Sequence, residues 1–172
     1  ELQTDQEAKI HAFNSVQDLA QADLIDGAFI ASRTDAHEPD ARNLIDAGCR
    51  VLLEKPLTHS LDSAQAFVNY LDADEGRSQA LMQAFMRRFD APLMKVKELL
   101  EQKVIGKIFK ITSILEDPAP PPVGYSSPGL LTDMSVHNCD EILWLLDGPL
   151  PEYAAAFGSN LHNTFVSPVE ED

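Results

Sequence analysis

The tripeptide Glu54-Lys55-Pro56 directly follows an apolar run at residues 51–53. Open parallel sheets bind their ligands in the crevice beyond the carboxyl ends of the strands, so an ammonium group at such a strand end lies where a cofactor or substrate would bind. Lys55 is therefore a candidate chemical group. The alternative is a solvated exit from strand to loop, in which the charged side chains have no role. The tripeptide alone leaves both interpretations open.

A second group of candidate residues consists of Asp133, His137 and Asp140. Their spacing of four and three residues places them on one face of a helix. An imidazole has an ordinary pKa of about 6.5, and a neighbouring carboxylate can select its tautomer, so the group suits proton removal from an alcohol. His137 is thus a candidate general base. A histidine with only a structural role in the helix, between a capping acid and a solvent-facing acid, remains the alternative.

Metal binding is a third interpretation of the same helix, because imidazole and carboxylate groups one turn apart can hold a divalent ion. A catalytic zinc site normally needs three protein ligands, and the remaining histidines supply no second spaced pair: His11, His37, His59 and His162. We therefore expect no metal. Cys49 and Cys139 show neither metal-ligand spacing nor a disulfide framework, and we expect both to be reduced core thiols.

The elements around Lys55 form a β-α-β unit. Residues 27–31 predict a short buried strand, and Asp35 with Glu38 predicts a capping box at the start of a helix. Gly48 ends that helix, and the next strand follows at residues 51–53. The helix returns the chain to a parallel neighbouring strand. Its apolar stripe comprises Ala41, Leu44 and Ile45.

The rest of the chain continues the alternation of helices and strands. Before the unit we expect a helix tail at residues 6–10 and a small helix capped by Ser15. After it we expect a helix capped by Ser60, a loop at residues 72–78, a strand at 80–85 and a helix from Asp90 and Pro92 to Gly106. The last predicted elements are a strand at 107–115, a helix at 132–146 and a strand at 152–157. Residues 118–128 hold five of the eleven prolines and predict an irregular loop beside a pocket.

This order predicts an α/β chain: a partial Rossmann-like parallel sheet over residues 1–85, then the start of an open-sheet α/β domain over residues 86–172. The 172 residues are 44% apolar, enough to bury a core. Asp and Glu outnumber Lys and Arg by 28 to 13, with a net charge of −15 and no basic run, which excludes nucleic acid as a partner. The absence of a long apolar stretch or signal-peptide pattern predicts a cytoplasmic protein with no membrane partner.

Together the two groups, joined by residues 83–90, resemble the glucose-fructose oxidoreductase / inositol 2-dehydrogenase / MocA family. The resemblance extends over nearly the whole chain. Within the family, the sequence looks most like the inositol dehydrogenases. It includes the strand end at residues 29–34, the run Ala-Gly-x-x-Val-Leu-x-Glu-Lys-Pro at residues 47–56, and Ile105-Gly106-Lys107. The resemblance implies an NAD- or NADP-dependent dehydrogenase that oxidises a secondary alcohol of a polyol or sugar, with the carboxy-terminal sheet forming contacts in a homo-oligomer.

The resemblance also implies roles for individual residues. Lys55, His137 and Asp133 would form the catalytic group, with Lys55 between nicotinamide and substrate, His137 exchanging the hydroxyl proton, and Asp133 holding substrate and imidazole. Arg87 would join these three in binding the substrate. The cofactor would be contacted by the following residues: Ser32, Arg33, Thr34, His37, Glu54, Lys55 and Pro56. Glu54 would face the cofactor ribose, and a cis bond would precede Pro56.

Three departures from the family pattern are visible. No G-x-G-x-x-G, the turn whose amides receive a pyrophosphate, occurs in the 172 residues, and no acid for the adenosine ribose accompanies it. Arg33 stands where many relatives have proline, and Asn138 stands where an acid is common. We therefore expect an internal fragment of such an enzyme, with poor dinucleotide affinity of its own. The alternative is a degenerate, noncatalytic paralogue that serves as an association module.

Overall fold

The computed structural model describes residues 10–116, 129–148 and 150–158. Its strands are β1 (Gly27–Ile30), β2 (Arg50–Leu53) and β3 (Leu81–Gln83), and its helices are α1 (Val16–Gln21), α2 (His37–Asp46), α3 (Leu61–Asp72), α4 (Glu75–Ala80), α5 (Ala91–Glu101) and α6 (Val136–Leu146). Single 3-10 turns occupy Thr34–Ala36 and Met86–Phe89, and a π-helical turn, Leu131–Ser135, leads into α6. None of the described helices is both long enough and apolar enough to cross a membrane.

The three strands form one parallel sheet in the order β1-β2-β3. Ile30 pairs with Leu53 across the first ladder, and Leu53 pairs with Gln83 across the second. Parallel strands need a crossover between them, which α2 supplies for β1 and β2, and the pair α3 and α4 supplies for β2 and β3. This confirms the Rossmann-like parallel sheet, with all three carboxyl ends at the same edge.

One face of the sheet carries the core. Alternate residues of β2 are buried there, with Val51 2% and Leu53 0% exposed, and they pack against the apolar stripes of α2 and α3. The predicted stripe of α2 is buried as expected. On the opposite face Phe29, Leu52 and Met82 form one row across the three strands, because each pairs with the next. No described element covers that row, and its side chains are between 38% and 59% exposed.

Polar caps define the helix starts that the sequence predicted. The hydroxyl of Ser15 accepts from the Asp18 amide at 3.0 Å and begins α1. Ser60 and Ser63 form a reciprocal capping box at α3: the Ser63 amide donates to the Ser60 hydroxyl at 3.2 Å, and the Ser60 amide donates to the Ser63 hydroxyl at 3.3 Å. Each bond satisfies an amide that the first helical turn cannot pair internally.

The predicted capping box of Asp35 and Glu38 is wrong. Asp35 lies inside the 3-10 turn and its carboxylate accepts from the Arg33 guanidinium at 3.3 Å, while Glu38 pairs with Arg42 one turn later at 2.8 Å. Helix α2 therefore begins at His37, with no side-chain cap on its first turn. Each carboxylate has an arginine within reach. A carboxylate binds a charged guanidinium more strongly than an uncharged backbone amide, so neither side chain caps the helix.

Helices α2 and α5 each end at a left-handed residue. At the end of α2, Gly48 has φ +87°, and the Cys49 amide donates to Leu44 at 2.9 Å, which is the Schellman closure that the glycine predicted. Helix α5 closes in the same way, but around Lys103 at φ +55°, with the Val104 amide donating to Leu99 at 3.1 Å. It consequently ends at Glu101, before the predicted stop at Gly106.

The predicted loop at residues 72–78 contains a helix start. Asp74 accepts from the Arg77 amide at 3.0 Å and caps α4, which runs directly into β3. Aspartate favours both turns and helix N-caps, so the local composition does not distinguish a loop from a loop followed by a helix.

The strands predicted at residues 107–115 and 152–157 are not formed. Neither segment joins a ladder among the described residues, and large apolar side chains there stay in contact with solvent: Phe109 is 87%, Tyr153 91% and Phe157 98% exposed. Alternating hydrophobicity predicts a strand only where a neighbouring strand pairs with it. The proline-rich loop at 118–128 and the helix tail predicted at 6–10, apart from Ile10, lie outside the described residues.

The two cysteines differ in environment. Cys49 is buried in the core, 4% exposed, as predicted, and both thiols are free. Cys139 is exposed, so its prediction as a core thiol is wrong. It lies two residues after His137 on α6, and two residues rotate a side chain by about 200° around a helix, which turns it away from the buried face.

Replacing Leu44 by alanine tests where the core lies. Leu44 is 2% exposed, and we expect Leu44→Ala to lower the free energy of unfolding by about 2–5 kcal/mol, because it removes buried methyl groups and leaves a cavity. Urea unfolding followed by circular dichroism measures this change. The matched control is Leu61→Ala, at a position that is 83% exposed, for which we expect less than about 0.5 kcal/mol. Equal effects of the two substitutions would contradict this location of the core.

Candidate active site

The carboxyl ends of the strands bring the first predicted residues to one edge. Beyond the end of the β1–β2 ladder, the Glu54 amide donates to Ile30 at 2.9 Å, and the Ala84 amide donates to Leu53 at 2.7 Å. Glu54 and Lys55 therefore leave the sheet at its centre. The bond between Lys55 and Pro56 is cis, as predicted. The Glu54 carboxylate accepts from the Lys55 amide at 3.1 Å.

The side chain of Lys55 contacts the helix that carries the second predicted group. Its Nζ donates to Oδ1 of Asp133 at 3.0 Å and to the backbone oxygen of the same residue at 2.9 Å. The two side chains are 23% and 12% exposed. Charges that are largely withdrawn from water require a partner, so this contact joins the sheet edge to the start of α6.

Asp133 reaches Lys55 from the π-helical turn. Its amide donates to Gly129, which has φ +95°, at 2.9 Å, and the residue itself is 8% exposed. A π turn contains more residues than an α turn, so it changes the direction of side chains relative to the helix that follows, and such turns are frequent at functional sites. The sequence predicts a helix over residues 132–146, and the chain is helical over this range, with a π-helical first part.

His137 lies in the first turn of α6 and is 9% exposed. Its Nδ1 is buried without a hydrogen-bond partner among the described residues. Burial lowers the pKa of His137 below its ordinary value, and the positive charges of Lys55 and Arg87 lower it further, while Glu54 and Asp140 act in the opposite direction. The imidazole is consequently held in its neutral form, which can accept a proton.

The predicted group of Asp133, His137 and Asp140 shares a buried face, but no hydrogen bond joins the imidazole to either carboxylate among the described contacts. Asp133 is bound by Lys55. Asp140 is bound by Arg88, whose Nε donates to Oδ2 at 3.0 Å and whose Nη2 donates to Oδ1. The three side chains are thus neighbours on one face, as the spacing predicts, but each carboxylate is bound by a cation from another segment.

The arginines of the turn Met86–Phe89 are the residues that sequence reasoning placed least well. Arg87, predicted to contact substrate, forms an ion pair with Glu141 on α6. Arg88 and its partner Asp140 lie 52 residues apart in the chain. The only local signal is that Arg87 and Arg88 are adjacent, as are Asp140 and Glu141. Nothing in their spacing along the chain indicates that the two pairs meet.

His37 is buried behind the sheet edge. It is 2% exposed, its Nδ1 lies 2.7 Å from the backbone oxygen of Pro56, and its Nε2 lies 3.1 Å from that of Ser32. Both ring nitrogens therefore face backbone carbonyls of the two loops that follow β1 and β2. These contacts hold the two loops together, and the contact with the nucleotide that the family resemblance implies for His37 stays a prediction.

The remaining cofactor candidates lie on the surface after β1. The Ser32 hydroxyl donates a hydrogen bond to the Asp40 carboxylate at 2.9 Å. The side chain of Arg33 extends into solvent and is 85% exposed. Thr34 begins the 3-10 turn and is half-buried. All three follow the carboxyl end of a parallel strand, where open α/β sheets bind nucleotides.

A nicotinamide cofactor fits one end of this arrangement. An ammonium group and a neutral imidazole lie beside the carboxyl ends of parallel strands, where open α/β sheets bind nucleotides. These groups match the reacting end of such a cofactor. The pyrophosphate end differs, because the chain contains no glycine-rich turn to receive it.

Other possible binding features do not include the predicted catalytic residues. Among the described residues, no cluster of three or more His, Cys, Asp or Glu side chains is arranged to hold a metal ion. A groove of about 640 Å³ lies against α1, lined in part by Phe13 and Leu24. A second groove of about 520 Å³ borders α6 at Asn138, whose amide donates to Ser113 at 2.6 Å.

The lowered pKa of His137 predicts how stability depends on pH. Between the lower pKa of the folded state and the ordinary value near 6.5, the unfolded chain binds more protons than the folded one. The free energy of unfolding therefore falls as the pH decreases from about 6.5, and we expect His137→Gln to reduce this slope. Urea titrations at several pH values measure it. His11→Gln, at an exposed position, is the control and leaves the slope unchanged. Parallel curves for His137→Gln and the wild type would contradict the prediction.

Comparisons with known proteins agree with the two-part organisation of this site. Residues 1–82 match the GFO_IDH_MocA family, described as an oxidoreductase family with an NAD-binding Rossmann fold. Residues 93–172 match the C-terminal domain of the same family. Lys55 falls in the first match, and Asp133 and His137 fall in the second.

Similar curated proteins are named as inositol dehydrogenases. The chain is 31% identical over 132 residues to inositol 2-dehydrogenase/D-chiro-inositol 3-dehydrogenase of Shouchella clausii, covering 76% of this chain and 37% of that protein. It is 30% identical over 148 residues to myo-inositol 2-dehydrogenase of Thermotoga maritima, covering 84% and 43%. The chain thus spans about two fifths of the length of the curated relatives that it matches.

Solved structures agree in fold. Myo-inositol dehydrogenase from Lactobacillus casei in complex with NAD(H) and myo-inositol superimposes with a TM-score of 0.63 at 27% identity, over 78% of this chain and 39% of that one. Scyllo-inositol dehydrogenase from the same organism, with bound NAD(H) and scyllo-inositol, gives 0.62 at 27% identity, over 77% and 41%. Both halves of the site therefore lie on matched segments, and the chain belongs to the Gfo/Idh/MocA oxidoreductase family.

Proposed function

We propose that this chain carries the proton-transfer residues of an NAD(P)-dependent dehydrogenase that oxidises a secondary alcohol of a cyclic polyol or sugar. The observation that supports this most directly is the contact between Lys55 and Asp133. It brings an ammonium group from the sheet edge to the helix that presents a neutral, buried imidazole. A cation and a base beside the carboxyl ends of parallel strands suit the removal of a proton from an alcohol.

Each catalytic residue has a distinct role in this proposal. His137 accepts the hydroxyl proton, which its neutral form permits. Lys55 stabilises the negative charge that develops on the substrate oxygen as the proton leaves. Asp133 holds the ammonium group of Lys55 in place and orients the substrate hydroxyl. A bound nicotinamide would supply the hydride acceptor for the substrate carbon that bears this hydroxyl.

The proposed cofactor contacts are the surface residues that follow β1 and the strand-end acid of β2. Ser32, Arg33 and Thr34 would lie along the nucleotide, and Glu54 would face the ribose. His37 supports both loops from behind, through its contacts with the backbone oxygens of Ser32 and Pro56. The choice between NAD and NADP depends on a ribose-binding residue that these segments do not contain.

An inositol-like polyol is the proposed substrate class. A relative matched over 148 residues, which must include both halves of the site, is named as myo-inositol 2-dehydrogenase, and one solved relative is described with NAD(H) and myo-inositol. Arg87 is the proposed additional substrate contact. Its guanidinium pairs with Glu141, so its donors would have to be shared between that carboxylate and a polyol hydroxyl.

Some features of the proposal concern the whole protein. We propose a division near residue 85, between β3 and the turn Met86–Phe89, and a homo-oligomer formed through the carboxy-terminal sheet. Residues 107–116 and 150–158 are described without a strand ladder, so the oligomer interface remains a prediction from the family resemblance. A cytoplasmic location likewise remains a prediction.

Substitution of the two catalytic residues tests the proposed chemistry. We expect Lys55→Met and His137→Gln each to lower kcat/KM for polyol oxidation by about 10²–10⁴-fold, the usual contribution of a general base or a charge-stabilising group. Formation of reduced cofactor with myo-inositol and a panel of sugars measures the rate. Lys110→Met and His59→Gln, at exposed positions, are the matched controls and retain the rate. Full activity of both test variants would refute the assigned roles.

Cofactor titration separates the dehydrogenase proposal from a noncatalytic association module. We expect the 172-residue chain to bind NAD or NADP weakly, because it contains no glycine-rich turn for the pyrophosphate. Fusion of an amino-terminal β-α-β unit that carries such a turn is expected to tighten binding at least about tenfold, which corresponds to about 1.4 kcal/mol. Quenching of NADH fluorescence gives both affinities. A fusion protein that neither binds a dinucleotide nor oxidises a polyol would favour the association module.

A further inference from the structure

Two ion pairs attach the turn Met86–Phe89 to α6. Arg87 pairs with Glu141, and Arg88 pairs with Asp140 through two parallel contacts. The Asp140 side chain is 8% exposed, and the Arg88 side chain is 42% exposed. A guanidinium that binds both oxygens of one carboxylate defines the orientation of that carboxylate as well as its position.

Asp140 is also a neighbour of the proposed base. It follows His137 by three residues on α6, so the two side chains share a buried face, and Asp140 acts electrostatically on the imidazole. Nδ1 of His137 is nevertheless buried and has no partner among the described residues. Both oxygens of the Asp140 carboxylate accept from Arg88, and in the orientation that this fixes, neither oxygen is hydrogen-bonded to Nδ1.

We propose that Arg88 is a positioning residue for His137: by holding both carboxylate oxygens of Asp140, it fixes this carboxylate in an orientation that leaves the imidazole unbound, and it offsets the charge of the carboxylate. The proposal deepens the proposed function, since His137 is the proposed base. It assigns to Arg88 an effect on His137 that acts through Asp140 and requires no contact between Arg88 and substrate or cofactor.

The charged groups that act on His137 make this effect measurable. Lys55 and Arg87 lower the pKa of the imidazole in addition to burial, and Glu54 and Asp140 raise it. A carboxylate paired with a guanidinium raises the pKa of a neighbouring imidazole less than an unpaired carboxylate does. Arg88 therefore helps to keep the buried imidazole neutral, which is the form that accepts a proton.

Nuclear magnetic resonance titration of His137 in the 172-residue chain tests the proposal without any need for catalysis. The His137 signal is assigned with His137→Gln. We expect Arg88→Met to raise the pKa of His137, because Asp140 is then unpaired. We expect Asp140→Asn to lower it, because the positive charge of Arg88 is then unopposed. The double variant R88M/D140N removes both charges and is expected to titrate close to the wild type.

A purely structural role for the pair predicts a different pattern. Loss of the attachment between the turn and α6 would admit water to His137, and since burial lowers its pKa, both single variants would then shift the pKa upward. The opposite signs expected for R88M and D140N distinguish the two accounts. Arg77→Met, which removes an ion pair with Asp46 at 3.4 Å on another part of the surface, is the control and leaves the titration unchanged.

Shifts of the same sign in the two single variants, or no shift in either, would overturn the proposal. If R88M does not fold, Arg88→Lys replaces it, since lysine keeps the charge but binds the carboxylate at one point, and an upward shift is again expected. Absence of dehydrogenase activity would refute the proposed function and leave this titration result unaffected. If activity is present, the acid limb of kcat/KM against pH moves in the same direction as the titration in each variant.

Discussion

The contact between Lys55 and Asp133 is the interaction on which the candidate site depends. It joins the central strand of the parallel sheet to the turn before α6, over 78 residues of chain. The cost of withdrawing an ammonium group and a carboxylate from water is offset only when the two charges meet with good geometry. Lys55 meets two oxygens of one residue at 2.9 and 3.0 Å. Among the hydrogen bonds between described residues, no other side-chain bond connects the loop directly after β2, residues 54–60, to residues 129–146.

The turn Met86–Phe89 is likewise joined to α6 by pairs of opposite charges. Among the described residues, three cations from strand-end segments each meet a carboxylate on α6 or on the π-helical turn before it: Lys55 with Asp133, Arg88 with Asp140, and Arg87 with Glu141. The charges at this junction are therefore balanced in pairs, although the chain has a net charge of −15. His137 lies among these pairs and belongs to none of them. Its environment is polar and yet leaves the imidazole neutral.

The sheet explains why such a junction forms at this edge. Parallel strands joined by crossover helices present all their carboxyl ends on one side, so the chain leaves β1, β2 and β3 at the same level. The residues after each strand then lie close together, whatever their separation in sequence. His37 reinforces this arrangement from within the fold, because its ring contacts the backbone after β1 and after β2.

The sequence by itself determined the local elements and the location of the chemistry. The cap residues Ser15 and Ser60, the glycine at position 48 and the period of the apolar residues depend on contacts within a few residues, so the parallel β-α-β unit and the strand-end position of Lys55 could be predicted. Local patterns do not distinguish a turn from a helix cap, because aspartate is common in both. Asp35 therefore lies in a turn where a cap was predicted, and Asp74 caps a helix where a loop was predicted.

Only the tertiary structure decided which charge pairs with which. The spacing of Asp133, His137 and Asp140 predicted that the three side chains share one face, as they do, but it did not indicate that each carboxylate is bound by a cation from a distant segment. Electrostatic attraction between full charges is stronger than a bond to a neutral imidazole, and it acts between any residues that the fold brings close. Spacing along one helix carries no information about the segments that pack against it. The strands predicted at residues 107–115 and 152–157 failed for a related reason, because a strand exists only with a neighbour to pair with.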